Sequence, residues 1–328
     1  MATARRSHRF RPPGNYDAVP LSVQRKGTPV QVYLAAPRGF CAGVDRAIDV
    51  VELALERFGP PVYLKHEIVH NSTVVKSLEA RGAVTVEDVR EIPEGAHVVF
   101  SAHGSGPEDF RAAQERNLHV IDATCPLVTK VHNEARKYSR EGRKILLVGH
   151  RGHQEVKGTM GQAPMNLVDD REDLDLPGWD DATEVAVLTQ TTLSVEDTRR
   201  SVESIRDRFP NVIVRNDLCY ATTNRQAAVK ELCERVDLVL VIGAANSSNC
   251  RRLREVAEAH GRPAHLIDGP DELNADWLIG VESVGVTSGA STPEGLVHQV
   301  VEALEPDEVL HIQSIEEDVS FVLPPEFR

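Results

Sequence analysis

The chain has 328 residues, 41% of them hydrophobic and 27% charged, with a formal net charge of −13. That length holds two or three units of domain size, and the acidic balance argues against a general nucleic-acid binder, so an anionic substrate needs a local reversal of sign. No stretch approaches the roughly 20 consecutive apolar residues of a membrane helix, and five cysteines without a C-x-x-C pair fit a reducing cytoplasm better than a secreted disulfide framework.

Residues 1–28 are basic, rich in Pro and Gly and without helical or strand period, which predicts a mobile arm; with the first acid at Asp17, a transit peptide is a second reading. From Val30 onward, short β-branched runs alternate with longer helical stretches. Strands are predicted at 30–35, 61–65, 97–101, 119–122, 144–149, 184–189, 212–215, 238–243 and 283–287. Such alternation implies an α/β fold with parallel sheets.

Three cysteines share one local setting, each preceded by a strand and followed directly by a helix. Cys41 precedes a helix with Val44, Ala47, Ile48, Val51 and Leu55 on one face. Cys125 precedes Pro126, suited to a first helical position, and Cys219 precedes YATTNRQ. His70 stands 29 residues after Cys41, His153 stands 28 after Cys125, and Ser248 stands 29 after Cys219. A second polar turn follows another strand in each stretch, at His103, at Thr191 and Thr192, and at Ser291. The chain therefore divides into a first unit over 29–125 (Cys41, His70, His103), a second over 126–215 (His153, Glu155, Thr191) and a third over 216–328 with a C-terminal tail (Cys219, Ser247, Ser291). Ligands of parallel sheets gather outside the carboxyl ends of the strands. Three such units around a pseudo-threefold axis direct three thiols and six polar turns to one centre.

A helix N-terminus favours thiolate over thiol, and thiolates bind iron or zinc. Three equivalent cysteines leave one iron of an iron–sulfur cluster without a protein thiolate; a three-thiolate zinc site is the competing metal reading. Cys233 lies mid-helix on an apolar face, and Cys250 follows NSSN near the site without an assignable role. His70, His103 and His153, with Thr191, Ser247, Ser248, Asn249 and Ser291, form a candidate cradle for phosphate oxygens, built of imidazoles and neutral donors. Neither phosphate-loop fingerprint of nucleotide sites occurs. Glu155, two residues from His153, is the candidate proton donor.

The segments PRGFCAGVDRAI (37–48), HEIVHN (66–71), FSAHG (100–104), DATCPLVTKVH (122–132), TQTTLSV (189–195), CYATTNRQ (219–226), NSSN (246–249) and GVTSGAS (285–291) resemble the LytB (IspH) family of 4-hydroxy-3-methylbut-2-enyl diphosphate reductases. The resemblance covers residues 30–325. It implies a three-lobed α/β assembly around a central 4Fe-4S cluster held by Cys41, Cys125 and Cys219, with the substrate hydroxyl on the iron that lacks a thiolate. Two electrons and two protons then remove the hydroxyl as water, giving isopentenyl and dimethylallyl diphosphate, the last step of the non-mevalonate isoprenoid pathway. The electrons come ultimately from NADPH through a ferredoxin or flavodoxin. Diphosphate contacts fall on His70, His103, His153, Ser247, Ser248, Asn249 and Ser291, with Thr191 near the substrate and Glu155 in proton delivery. Gln154 stands where the family more often has proline, and Cys250 where a small polar residue is commoner; neither is a named ligand. An iron–sulfur dehydratase or quinolinate-synthase-like lyase is the alternative enzyme reading, and a metal or redox sensor the non-enzymatic one.

Overall fold

The computed structural model describes residues 30–172 and 176–328, so the arm expected over 1–28 lies outside the described residues. In chain order the elements are β1 (Gln31–Ala36), α1 (Ala42–Phe58), β2 (Val62–Lys65), α2 (Ser72–Glu79), β3 (Ala83–Val86), β4 (His97–Phe100), α3 (Pro107–Glu115) and β5 (His119–Asp122). The middle of the chain forms α4 (Pro126–Arg140), β6 (Lys144–Val148), α5 (Gln154–Met160), β7 (Asn166–Val168), β8 (Val185–Thr189), α6 (Val195–Arg208) and β9 (Ile213–Val214). Then come α7 (Tyr220–Cys233), β10 (Leu238–Ile242), α8 (Ser248–Ala259), β11 (Ala264–Ile267), β12 (Ser283–Ser288), α9 (Glu294–Ala303) and β13 (Glu308–Gln313).

After β1 the order helix, strand, helix, two strands, helix, strand occurs three times, each time opening on a helix whose N-cap is a cysteine: Cys41, Cys125 and Cys219. The sheets repeat as well. Their orders are β3-β2-β4-β5, β7-β6-β8-β9 and β11-β10-β12-β1-β13, every pairing parallel. In each, the first strand of the unit sits beside the third and the connections leave in opposite directions, which makes a topological switch point there.

One placement differs from the sequence reading. β1, expected to open the first unit, is inserted in the third sheet between β12 and β13, with Val32 opposite both Val284 and Val309. Its helix stays with the first unit, where Val44, Ala47, Ile48 and Val51 pack on Leu64, Ile68 and Val99. β1 lies on the free flank of β12, and β13 joins the sheet through β1.

The central strands are apolar on both faces because helices cover both sides of a parallel sheet. β8 (VAVLT) and β10 (LVLVI) are buried at every residue, and each fully buried Val, Leu or Ile contributes about 1.5–3 kcal/mol. The core is therefore divided by sheet, and the room between the three sheets is left to polar turns.

Candidate functional site

The strand ends supply the turns. In the first unit His70 follows β2 and precedes Asn71, the N-cap of α2, while His103 follows β4. In the second, His153 is the N-cap of α5 and Thr191 follows β8. In the third, Ser247 caps α8, with Ser248 and Asn249 in its first turn, and Ser291 follows β12. Each unit thus offers one turn from each side of its switch point.

The units are joined in a ring by their cysteines. The Cys41 amide donates to Ala290 O of the third unit at 3.1 Å, the Cys125 amide to Ala102 O of the first at 3.0 Å, and the Cys219 amide to Thr191 O of the second at 3.1 Å. Every cysteine-capped helix therefore starts against the second polar turn of the preceding unit. One cavity results, and all the residues singled out in the sequence line it: Cys41, Cys125, Cys219, His70, His103, His153, Glu155, Thr191, Ser247, Ser248, Asn249 and Ser291.

At one end of this cavity stand the thiols. Gly43 lets them meet: a Cβ there would lie 2.7 Å from Cys125 Sγ and 3.8 Å from Cys41 Sγ. Burial pushes all three thiols up, Cys125 to about 12 and Cys219 to about 11, and neighbouring sulfurs add to the rise at those two. Three helix N-termini face them, and the Thr222 amide donates to Cys219 Sγ at 3.3 Å. Such thiols become thiolates only beside a strong cation, so the donor set fits a metal centre. Three equivalent thiols suit a polynuclear cluster with one iron left without a thiolate, and a three-thiolate zinc ion is the competing occupant.

The imidazoles stand together, with ring centroids 4.1 Å apart for His70 and His103, 5.4 Å for His70 and His153, and 6.0 Å for His103 and His153. Burial drives His103 well below the usual histidine range and His153 to about 3, each helped by the neighbouring rings, so both are neutral. The Glu155 amide donates to His153 Nδ1 at 3.2 Å, which puts that ring's proton on Nε2. Asn249 accepts from the Ala290 amide at 3.2 Å, and its buried Nδ2 has no partner within the protein. An anion acceptor would satisfy that orphaned donor.

Glu155 is 3% exposed. Its carboxyl is met by the Thr191 amide at 2.6 Å and the Thr191 hydroxyl at 2.9 Å. Burial outweighs those bonds, and together with the charge of Asp217 it raises Glu155 to about 7.

Several lining groups escaped the sequence reading. Tyr220 accepts from the Ala42 amide at 3.0 Å and holds the start of α1, and Phe321 reaches the cavity from the C-terminal tail. Tyr220 adjoins Cys219, a positional hint; Phe321 lies where no periodicity marks a role. Of the two remaining cysteines, Cys250 is buried with its sulfur against Gly243 and Gly289, and Cys233 ends α7 in the third unit's core rather than sitting mid-helix.

The LytB protein family model matches residues 32–305. The 4-hydroxy-3-methylbut-2-enyl diphosphate reductase of Mycolicibacterium paratuberculosis is 53% identical over 324 residues, covering 96% of both chains. That of Hahella chejuensis is 51% identical over 310 residues, or 91% of this chain and 98% of the relative. Among solved structures, the E-1-hydroxy-2-methyl-but-2-enyl-4-diphosphate reductase from Plasmodium falciparum superposes with a TM-score of 0.88 at 36% identity, over 92% of this chain and 97% of that one. A second solved reductase, the terminal enzyme of the non-mevalonate pathway, gives 0.62 at 35% identity over 84% of this chain and 99% of that one. With the repeated fold, the cysteine ring and a family match across most of its length, the chain belongs to the LytB family.

Proposed function

We propose that this chain reduces (E)-4-hydroxy-3-methylbut-2-enyl diphosphate to isopentenyl and dimethylallyl diphosphate, the last step of the non-mevalonate pathway. The balance is two electrons and two protons in, one C–O bond broken, one C–H bond formed and water released. The observation that carries this reading is the convergence of three buried thiols, a cradle of imidazole, hydroxyl and amide donors, and a buried carboxyl on one cavity.

Cys41, Cys125 and Cys219 are the residues to hold a 4Fe-4S cluster. Bound there, the cluster would supply electrons and an iron without a thiolate as Lewis acid toward the substrate oxygen. The rest falls to the chain. His70, His103, His153, Ser247, Ser248, Asn249 and Ser291 take the diphosphate with short donors, which orients the hydroxyl-bearing end toward the thiols. Val44, Val69, Ala102, Leu127 and Val128 line the cavity and exclude water from the reacting fragment. Glu155, raised to about 7, accepts from the Thr191 hydroxyl beside the substrate and so keeps a proton source at the place where the departing oxygen needs one.

Electrons would arrive from NADPH through a ferredoxin or flavodoxin, a reading that rests on family membership. Five free cysteines suit work in a reducing cytoplasm, and among the described residues no helix is long and apolar enough to cross a membrane. The test is anaerobic: purified protein should show the visible absorption of an iron–sulfur cluster and consume the hydroxylated allylic diphosphate when given reduced dye. Stoichiometric zinc in a colourless protein would sink the cluster; a cluster-loaded protein that leaves this substrate intact would favour an iron–sulfur lyase.

A further inference from the structure

Arg252 takes no part in the chemistry above, yet it sits where the second and third units meet. It lies one helical turn after Ser248 in α8, on the same face. Its side chain is 7% exposed and leaves the third unit for the second. Nη2 donates to His150 Nε2 at 2.5 Å and lies 3.5 Å from Asp170 Oδ1, while Nη1 donates to Asp197 Oδ2 at 3.3 Å and to Glu255 of its own helix at 2.6 Å. The Asp170 side chain is wholly buried, so no water replaces the guanidinium there.

His150, Asp169 and Asp170 place ligand atoms within 4.8 Å of one another, a geometry open to a metal ion. Arg252 already stands against two of the three. Asp169 is occupied too, by the Arg171 guanidinium at 2.6 Å and the Arg151 amide at 2.8 Å. The cation in this concavity is the chain's own.

From His150 the contacts run back to the cavity. Its amide donates to Gln190 Oε1 at 2.9 Å, Gln190 Nε2 donates to Thr192 Oγ1 at 2.9 Å, and the Ser248 hydroxyl donates to Thr192 O at 3.3 Å. Helix α8 thus grips the second unit twice, at Ser248 and one turn later at Arg252, and both grips lead to the turns carrying His153 and Thr191. We infer that Arg252 is a positioning residue: it clamps the third unit onto the second and so fixes the separation of His153 from Ser248 and Asn249. The inference rests on the reading of the cavity as a diphosphate site.

The test uses anaerobic, cluster-loaded protein with inorganic pyrophosphate as the calorimetric probe, alongside turnover of the hydroxylated allylic diphosphate. Arg252→Met should weaken pyrophosphate binding and raise KM by about tenfold or more, leaving kcat within about threefold and the visible spectrum unchanged. Arg252→Lys should recover part of the loss, because the charge remains while the two-pronged fork does not. Asp197→Asn, at a partly exposed partner, should shift KM in the same direction by less, and it carries the test if Arg252→Met does not fold. Failure of the wild-type protein to bind pyrophosphate would overturn the diphosphate reading itself. Wild-type binding matched by Arg252→Met, or a fall in kcat at unchanged KM, would overturn the clamp alone.

Discussion

In the proposed reaction Glu155 is the group that makes the cavity a reactor rather than a binding site. A carboxyl so buried is neutral at its place unless a cation faces it, and Thr191 offers only neutral donors. Glu155→Gln keeps the volume and the bonds to Thr191 but removes the transferable proton. It should retain cluster absorption and pyrophosphate binding and lose about a hundredfold or more in kcat; turnover at the wild-type rate would place Glu155 outside the chemistry. The pH dependence follows from the raised value. Folding lifts the group from 4.5 to about 7, so the folded protein holds the extra proton between those values. The stability this provides is fully present below about 4.5 and is lost as pH rises through about 7. Chemical denaturation midpoints should therefore fall across that window in the wild type and less so in Glu155→Gln, and the basic limb of kcat near pH 7 should be absent from the variant. The histidines carry the complementary prediction. His103 and His153 are neutral in the protein alone; a diphosphate reverses the field at their rings, so binding at pH 7 should take up protons, read as a calorimetric enthalpy that changes with the buffer's ionisation heat.

The strands missed in the sequence are all edges, although two other edge strands, β5 and β9, were foreseen. The nine strands expected from sequence all form, while β3, β7, β11 and β13 were not foreseen, and each of those four is a sheet edge. An edge strand has one open flank and packs less of its surface, so AVTV, NLV, AHLI and EVLHIQ lack the continuous apolar run that marks β8 and β10. The cysteine-capped helices were readable because strand, cysteine and amphipathic helix are local facts of the chain. Contact across the cavity is not local, and Gly43 shows the difference: nothing in CAGV announces that the sulfur capping α4 will lie against its α-carbon. Gly43→Ala would drive a methyl to 2.7 Å from Cys125 Sγ. The start of α1 or of α4 must then shift, at about 1–3 kcal/mol, and the sulfurs move with it. Circular dichroism should stay native while iron bound per protein drops; full iron content would show that the thiol end tolerates wider spacing.

At the scale of the molecule, the threefold repeat was legible from cysteine spacing, but the ring that closes it was not. β1 pairs with strands some 250–280 residues away along the chain, and no periodicity spans that distance. The closure is completed by the segment after β13, which leaves the third sheet, passes the cavity at Phe321 and ends on the first unit, where Leu323 and Phe327 pack against its core. Two buried arginines hold it, each within two turns of a cysteine. Arg225 on α7 pairs with Glu317 at 3.1 Å and donates to Gly39 O at 2.7 Å, while Arg46 on α1 donates to Val322 O at 2.8 Å. Arg225 is fully buried, whereas Glu317 is partly exposed and also accepts from Asn224 at 3.1 Å, so removing the guanidinium costs toward the lower end of the about 3–5 kcal/mol of a buried pair. Arg225→Met should therefore lower the denaturation midpoint by that order, and more than Glu317→Gln, which leaves Arg225 its carbonyl partners. If the tail also shields the thiol end from solvent, ending the chain after Ser320 should bleach the cluster faster in air than Phe327→Ala does at a comparable loss of stability, because only the truncation removes Phe321 from the cavity wall. Equal bleaching rates would assign the tail to stability alone.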